Sequence, residues 1–247
     1  MPETRLIMGM PITISIVGDG DGGATEAAFE CFESVDRRFS PYKTDSEVSA
    51  LNRGEIALEE MSPELREVLE LSELTRHETQ GYFDIRRPDG RIDPSGLVKG
   101  WAIRKAARGI EAGGHFDYFV DAGGDIQCRG RNEHGKPWRV GIRNPFDQSQ
   151  IVKVLVPGDA GVATSGAYVR GQHIYDPHGA GPAGNDLASI TVISADVYDA
   201  DRFATAAFAM GRDGISFVES QPGLEGYAIG HDGLATMTSG FSRYLPA

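Results

Sequence analysis

The sequence predicts an α+β protein, mainly antiparallel sheets with flanking helices, arranged as two intimate lobes within one domain spanning residues 1–247. Three observations carry this. From Phe116 to Ala195 the chain breaks into short strand-like runs with no helix between them, which favours antiparallel over parallel pairing. Segments of helical period are gathered before and after that block instead of alternating with it. The chain has 247 residues, 40% of them hydrophobic, enough to bury a sizeable core. No apolar run approaches the roughly 20 residues of a membrane span.

In order, Met10–Val17 alternates and is rich in β-branched residues, so it reads as a strand running into the turn GDGDGG. Ala24–Phe39 carries Ala27, Ala28, Cys31, Phe32, Val35 and Phe39 at helical spacing. The stretch FSPYKTDSEVSALN reads as a loop with Tyr42 as an exposed aromatic, suited to stacking on a flat ligand or to anchoring the loop. Ser62 caps a helix with Pro63 at its first position, closing before Gly81. Tyr82, Phe83 and Asp84 follow in extended chain, and the turn at Asp93 opens a helix to about Ala112. The strand block then runs through DYFVDAGG, DIQCRG, WRVGIRNP, IVKVLVP, GVATSG, AYVRGQHIYDP and LASITVISA. Helices return at Asp199–Met210 and Asp213–Glu219, and EGYAIGHDGLATMTSG closes the chain as a hairpin-like pair.

A net charge of −12, with no cluster of Lys and Arg, argues against a nucleic-acid binder. An anionic ligand would need a locally positive pocket, for which Lys99, Arg104 and Arg170 are candidates. Cys31 and Cys128 have no metal-ligand spacing and read as buried free thiols. The first residues, MPETRLIMGMPITISI, lack the parts of a signal peptide, so a cytoplasmic protein without membrane insertion is expected.

Five constellations could carry chemistry. In RIDPSGLVKGWAIRKA a carboxylate, Asp93, and a lysine, Lys99, flank a turn at the mouth of a helix, where unpaired N–H groups and the helix dipole favour a phosphate. The same pattern is also ordinary strand-to-helix architecture, and it is not a Walker motif because Gly100 follows Lys99. Asp121-Ala122-Gly123-Gly124-Asp125 allows either close approach of backbone to a ligand or a plain hairpin turn. Thr164-Ser165-Gly166 with Arg170 offers hydroxyls and a guanidinium. In His173-Ile174-Tyr175-Asp176, His173 is a candidate general base with Asp176 to orient it. Asp201 and Thr205, four apart on one helix face, are hard oxygen donors of the kind Mg²⁺ takes; taken alone, the pair is better explained as a first-turn acid and a threonine that fits an Ala-rich core face.

Taken together, Met8-Gly9, FSPY…DSEVSALN, YFD, DPSGLVKGWA, AGGDI, VATSGAYVR, HIYDP and DADRFATAAFAMG resemble, in register over almost the whole chain, the ApbE family of FAD:protein FMN transferases. The resemblance implies FAD in a cleft between the two lobes with Mg²⁺ at its diphosphate, and transfer of FMN to a Thr or Ser hydroxyl of an acceptor flavoprotein with release of AMP. By the same resemblance Met8 and Tyr42 flank the flavin, Tyr82, Phe83 and Asp84 line a wall, and Asp93, Lys99 and Ile174 contact FAD. Mg²⁺ would be held by Asp201 and Thr205 through side chains and by Gly96 and Ala204 through carbonyls, with His173 as base. Three departures stand out: Arg104 replaces an acid common in the family, His178-Gly179-Ala180 replaces a Thr-Gly, and the N-terminal lipidated cysteine of membrane-anchored forms is absent. A Mg²⁺-dependent FAD pyrophosphatase and a non-catalytic FAD-binding protein are the competing readings. A nicotinamide dehydrogenase is disfavoured, since no Gly-x-Gly-x-x-Gly follows the first strand.

Overall fold

Alternating apolar residues on one phase of successive strands build the floor of the molecule. The computed structural model describes residues 1–20, 22–166, 175–176, 181–182 and 186–246. Strands β1 (Glu3–Ile7), β2 (Met10–Ile16), β3 (Tyr118–Ala122), β4 (Asp125–Arg129), β7 (Gly161–Gly166), β10 (Leu187–Ser194), β11 (Glu225–Gly230) and β12 (Ala235–Met237) form one eight-stranded sheet in that order. Every pairing in it is antiparallel, as the helix-free strand block predicts. β5 (Val140–Asn144) and β6 (Asp147–Leu155) make a separate hairpin. The short β8 (Tyr175–Asp176) pairs with β9 (Gly181–Pro182).

The helices are α1 (Gly23–Phe39), α2 (Glu47–Asn52), α3 (Pro63–Glu78), α4 (Ser95–Ala112), α5 (Val197–Ala209) and α6 (Asp213–Ser220). On one half of the sheet, Ile12, Ile14 and Val120 pack with Phe29, Phe32, Leu97 and Ile103 of α1 and α4. On the other half, Ile190, Val192 and Ala228 pack with Phe203, Ala207 and Val218 of α5 and α6. The opposite sheet face is covered by the β5–β6 hairpin and the C-terminal turn, through Ile142, Leu155 and Phe241. The two lobes are therefore two helix-covered halves of a continuous sheet. Their junction is narrow: β4 and β7 share only the register pairs Ile126↔Val162 and Gln127↔Gly161.

Local chemistry explains most boundaries. Ser62 Oγ accepts from Leu65 N–H at 3.1 Å and also donates to Glu47, so α3 starts where the capping pattern predicts. Asp196 caps α5 through Tyr198 N–H at 2.8 Å, which makes Asp199, and not Asp201, the first-turn acid. The α1 core stripe runs through Phe29, while Ala27 is exposed, a rotation of the predicted face. β1 and α2 are among the elements that go beyond the sequence reading. β1 was invisible because, as an edge strand, it buries only Ile7, and α2 lies inside the expected loop, capped by Ser46. No described helix is long and apolar enough to cross a membrane.

Candidate active site

A cavity of about 930 Å³ opens between the two halves, beside the turn joining β1 to β2 and under the segment 82–96. One end is apolar and aromatic. Met8 and Gly9 form the β1–β2 turn with φ of 55° and 72°, the paired positive angles of a tight hairpin turn. A methionine there is strained, since such angles suit Gly or Asn. Met8, Tyr42 and Tyr82 line this end, Tyr42 being 90% exposed, and Phe83 is buried beneath. Asp84 and Asp93 sit on the wall, each tied locally: Asp84 accepts from Arg86 N–H at 2.8 Å, and Asp93 accepts from Ser95 N–H at 3.2 Å and pairs with Arg87 at 3.4 Å.

The other end is ionic. Lys99 lies a full turn inside α4, whose cap is Pro94 with no side-chain hydrogen bond, so the lysine is not at the helix mouth as the motif suggested. Its Nζ ion-pairs closely with Asp125 and stands 3.5 Å from Asp201 Oδ1. Asp201 Oδ2 accepts from Gly100 N–H at 2.8 Å, and both carboxylates are buried. That closeness depends on Gly100: a Cβ there would lie 2.8 Å from Asp201 Cβ and 3.1 Å from Tyr198 Cα. Thr205 is one turn further along α5, and its methyl would lie 3.6 Å from a Cβ on Gly96. Burial pushes the Asp201 carboxyl well above the usual carboxylate range; Lys99 opposes that and Asp125 adds to it.

At this end, among the described residues, one ammonium stands against the carboxyl groups of Asp125 and Asp201, while Lys43 and Arg87 line the cavity elsewhere. Arg104 turns away from the cavity, its guanidinium 3.9 Å over the Tyr198 ring and 4.0 Å from Glu67, so it packs α4 on α5 and contacts no anion site. Two acids around one ammonium suit a divalent cation. The oxygen donors at hand are hard ones: the Asp201 carboxylate, the Thr205 hydroxyl and the Gly96 carbonyl, whose usual helical partner, the Gly100 N–H, is engaged by Asp201. The buried Asp125 Oδ2 makes no hydrogen bond, only its ion pair. These residues fit Mg²⁺, which keeps waters and substrate oxygens. Among the described residues no cluster of three His, Cys, Asp or Glu could cage a metal alone.

Residues singled out in the sequence therefore share one hollow: Met8, Tyr42, Tyr82, Phe83, Asp84, Asp93, Gly96, Lys99, Asp201 and Thr205, together with the Thr164-Ser165-Gly166 edge. Ala204 is wholly buried in the α5 core and does not line it. His173, Ile174 and Arg170 lie outside the described residues. Gly123 and Gly124 form the β3–β4 hairpin turn, with φ of 64° and 98°, and do not line the cavity. Asp125, marked in the sequence only as the end of a glycine turn, pairs with Lys99, a role the sequence reading did not give it. The available signal was its phase: Asp125 and Gln127 are polar on the helix-facing side of a strand whose other face carries Ile126 and Cys128.

The sequence model of the ApbE family matches residues 8–87 and 85–228. The chain belongs to the ApbE family. Within it, the FAD:protein FMN transferase of Vibrio cholerae is 36% identical over 135 residues, 51% of this chain and 40% of that protein. The Escherichia coli protein of the same name is 33% identical over 163 residues, 62% and 46% of the two chains. The alignments thus span less than half the length of these ApbE relatives. In structure the chain is similar to the flavin transferase ApbE from Vibrio cholerae, with a TM-score of 0.85 and 25% identity over 99% of both chains. An ApbE protein from Thermotoga maritima shares the fold at a TM-score of 0.86, covering 100% of this chain and 99% of that one at 21% identity.

Proposed function

We propose that the protein transfers the FMN half of FAD to a Thr or Ser hydroxyl of an acceptor flavoprotein, releasing AMP, with Mg²⁺ at the diphosphate. What supports this reading is the shape of the cavity: aromatic and sulfur-bearing side chains at the end that would take a flavin, and Lys99, Asp201 and Thr205 at the end that would take phosphates. Two relatives bearing the name of that activity point the same way.

The acceptor oxygen attacks the phosphorus on the FMN side. The bond from that phosphorus to the bridging oxygen breaks, and AMP leaves with that oxygen. His173 takes the hydroxyl proton, an assignment that rests on its place in the HIYDP motif. Lys99 stabilises charge developing on the phosphoryl oxygens. Asp201, Thr205 and the Gly96 carbonyl would hold Mg²⁺, which when bound supplies further neutralisation of the diphosphate. Ala204 is a weaker ligand candidate, because in a regular helix its carbonyl is taken by the Phe208 N–H. Met8 and Tyr42 sandwich the flavin, Tyr82 and Phe83 shape the wall, Asp84 and Asp93 orient polar groups of FAD, and Ile174 contacts FAD beside His173. The protein acts as one domain, in the cytoplasm or facing it.

The deciding experiment is mass spectrometry of an acceptor flavoprotein incubated with FAD, Mg²⁺ and the protein. An added FMN mass on Thr or Ser is expected. Rapid AMP release without acceptor would make it a pyrophosphatase, and tight FAD binding with no AMP would make it a carrier. Normal transfer by His173→Ala would move the base elsewhere.

A further inference from the structure

We propose that Asp125 is a positioning residue that holds the Lys99 ammonium off Asp201 and so leaves Asp201 open to a divalent cation. The inference rests on the diphosphate reading of the cavity. Asp125 starts β4 where the β4–β7 ladder ends: beyond the pair Ile126↔Val162, its Oδ1 accepts the Thr164 N–H at 3.0 Å in place of a further strand bond. The carboxylate is 1% exposed and fixed at that oxygen, so it cannot swing away from the lysine. Lys99 lies against Asp125 Oδ2 and is 3.5 Å from Asp201 Oδ1, so the ammonium is shared unequally, with Asp125 the nearer partner.

Two consequences follow from that inequality. Were Asp125 neutral, Lys99 would close onto Asp201 and form a full ion pair there, competing with any cation for the same oxygen. The same anchored carboxylate also ties α4, through Lys99, to Thr164 at the start of the Thr164-Ser165-Gly166 edge that lines the cavity. Asp125 does not line the cavity; its side chain meets both the Lys99 ammonium and the Asp201 carboxyl. Its role therefore runs through those two residues, and a background without the ammonium separates the part carried by Lys99.

The test is a titration of Mg²⁺ into protein plus FAD without acceptor, followed by flavin fluorescence, with thermal melts alongside. Asp125→Asn keeps an acceptor for Thr164 N–H but loses the charge. It is expected to raise the half-saturating Mg²⁺ concentration by about tenfold or more, an order set by one unit charge at a few ångström, with the melt little changed. In a Lys99→Met background the same substitution is expected to cost at least threefold less, because no ammonium remains to close on Asp201. An unchanged Mg²⁺ requirement in Asp125→Asn overturns the proposal. An equal loss in both backgrounds also overturns it, since Asp125 would then act only as a charge. Wild-type protein that shows no Mg²⁺-dependent FAD binding would refute the underlying functional reading instead.

Discussion

Two glycines in one helix should respond to alanine in opposite directions. Gly109 of α4 is exposed, with nothing within 4 Å of a Cβ placed on it, so Gly109→Ala gains helix propensity alone, about 1 kcal/mol. Gly100 gains the same propensity but meets α5. A Cβ at 2.8 Å from Asp201 Cβ is at least 0.6 Å inside the 3.4 Å where ordinary contact begins, and the Tyr198 backbone at 3.1 Å blocks the other way out. The helices must separate. Overpacking of this kind costs about 1–3 kcal/mol, and stretching the charge-assisted Gly100 N–H to Asp201 bond adds about 1 kcal/mol or more. After the propensity gain the net loss is about 2 kcal/mol, or about 4–8 °C in a chain of this size. Calorimetric melts of the two single variants decide it, and the Mg²⁺ requirement for FAD binding should rise only for Gly100→Ala. A Gly100→Ala protein that melts at or above wild type would refute the claim that close approach of α4 and α5 positions Asp201.

Lys99→Met leaves the buried Asp125 and Asp201 carboxyls facing each other without their ammonium, so melts should show a loss of about 3 kcal/mol at pH 8, smaller at pH 5, where Asp201, raised by burial to about 7, is protonated. Burial raises Asp121 above its ordinary 3.8, so its stability contribution is full below that value and fades as pH rises through the folded one. Asp121→Asn mimics the protonated form and still accepts from Gly124 N–H; it should match wild type near pH 4 and exceed it near pH 8 in urea titrations. Burial pushes the Cys128 thiol up to about 12 and raises Cys31, so thiol reagents at pH 8 should modify neither quickly in folded protein and both after denaturation.

The sheet was legible because its central strands are two-faced in the literal sense. β2 buries Ile12, Ile14 and Ile16 on one phase, and β3 buries Tyr118, Val120 and Ala122, so period 2 shows through the noise. β1 did not show, since a strand with one neighbour and a solvated face needs no such pattern. Helix starts were readable at Ser62, where a side chain does the capping, and at the Asp93 turn before α4, where none does; α5 begins two residues before the expected Asp199, capped by Asp196. The site divides the same way. Residues contributed by turns and helix faces, such as Met8, Asp93, Lys99 and Asp201, stand out as motifs along the chain. Asp125 gains its meaning only from pairing with a helix that precedes it and a strand edge that follows, neither of which is adjacent in sequence.

That division has a physical source in how α5 is held. Its N-terminus is met by Gln127 Oε1, which accepts from Val197 N–H at 2.8 Å, and its outer face by Arg202, which pairs with Asp199 at 2.7 Å and with Glu78 at the end of α3. One end of α5 is thus fixed to β4 and the other side to the helix that leads into Tyr82, Phe83 and Asp84. Asp201, between these anchors, inherits its position from both, which is why the aromatic wall and the ionic end keep a common register across the cavity. Burying two acids against one ammonium is costly unless a proton or a cation completes the cluster. That a fold spends two polar anchors and a helical glycine to hold Asp201 there is the argument that the charge serves a ligand and not the core.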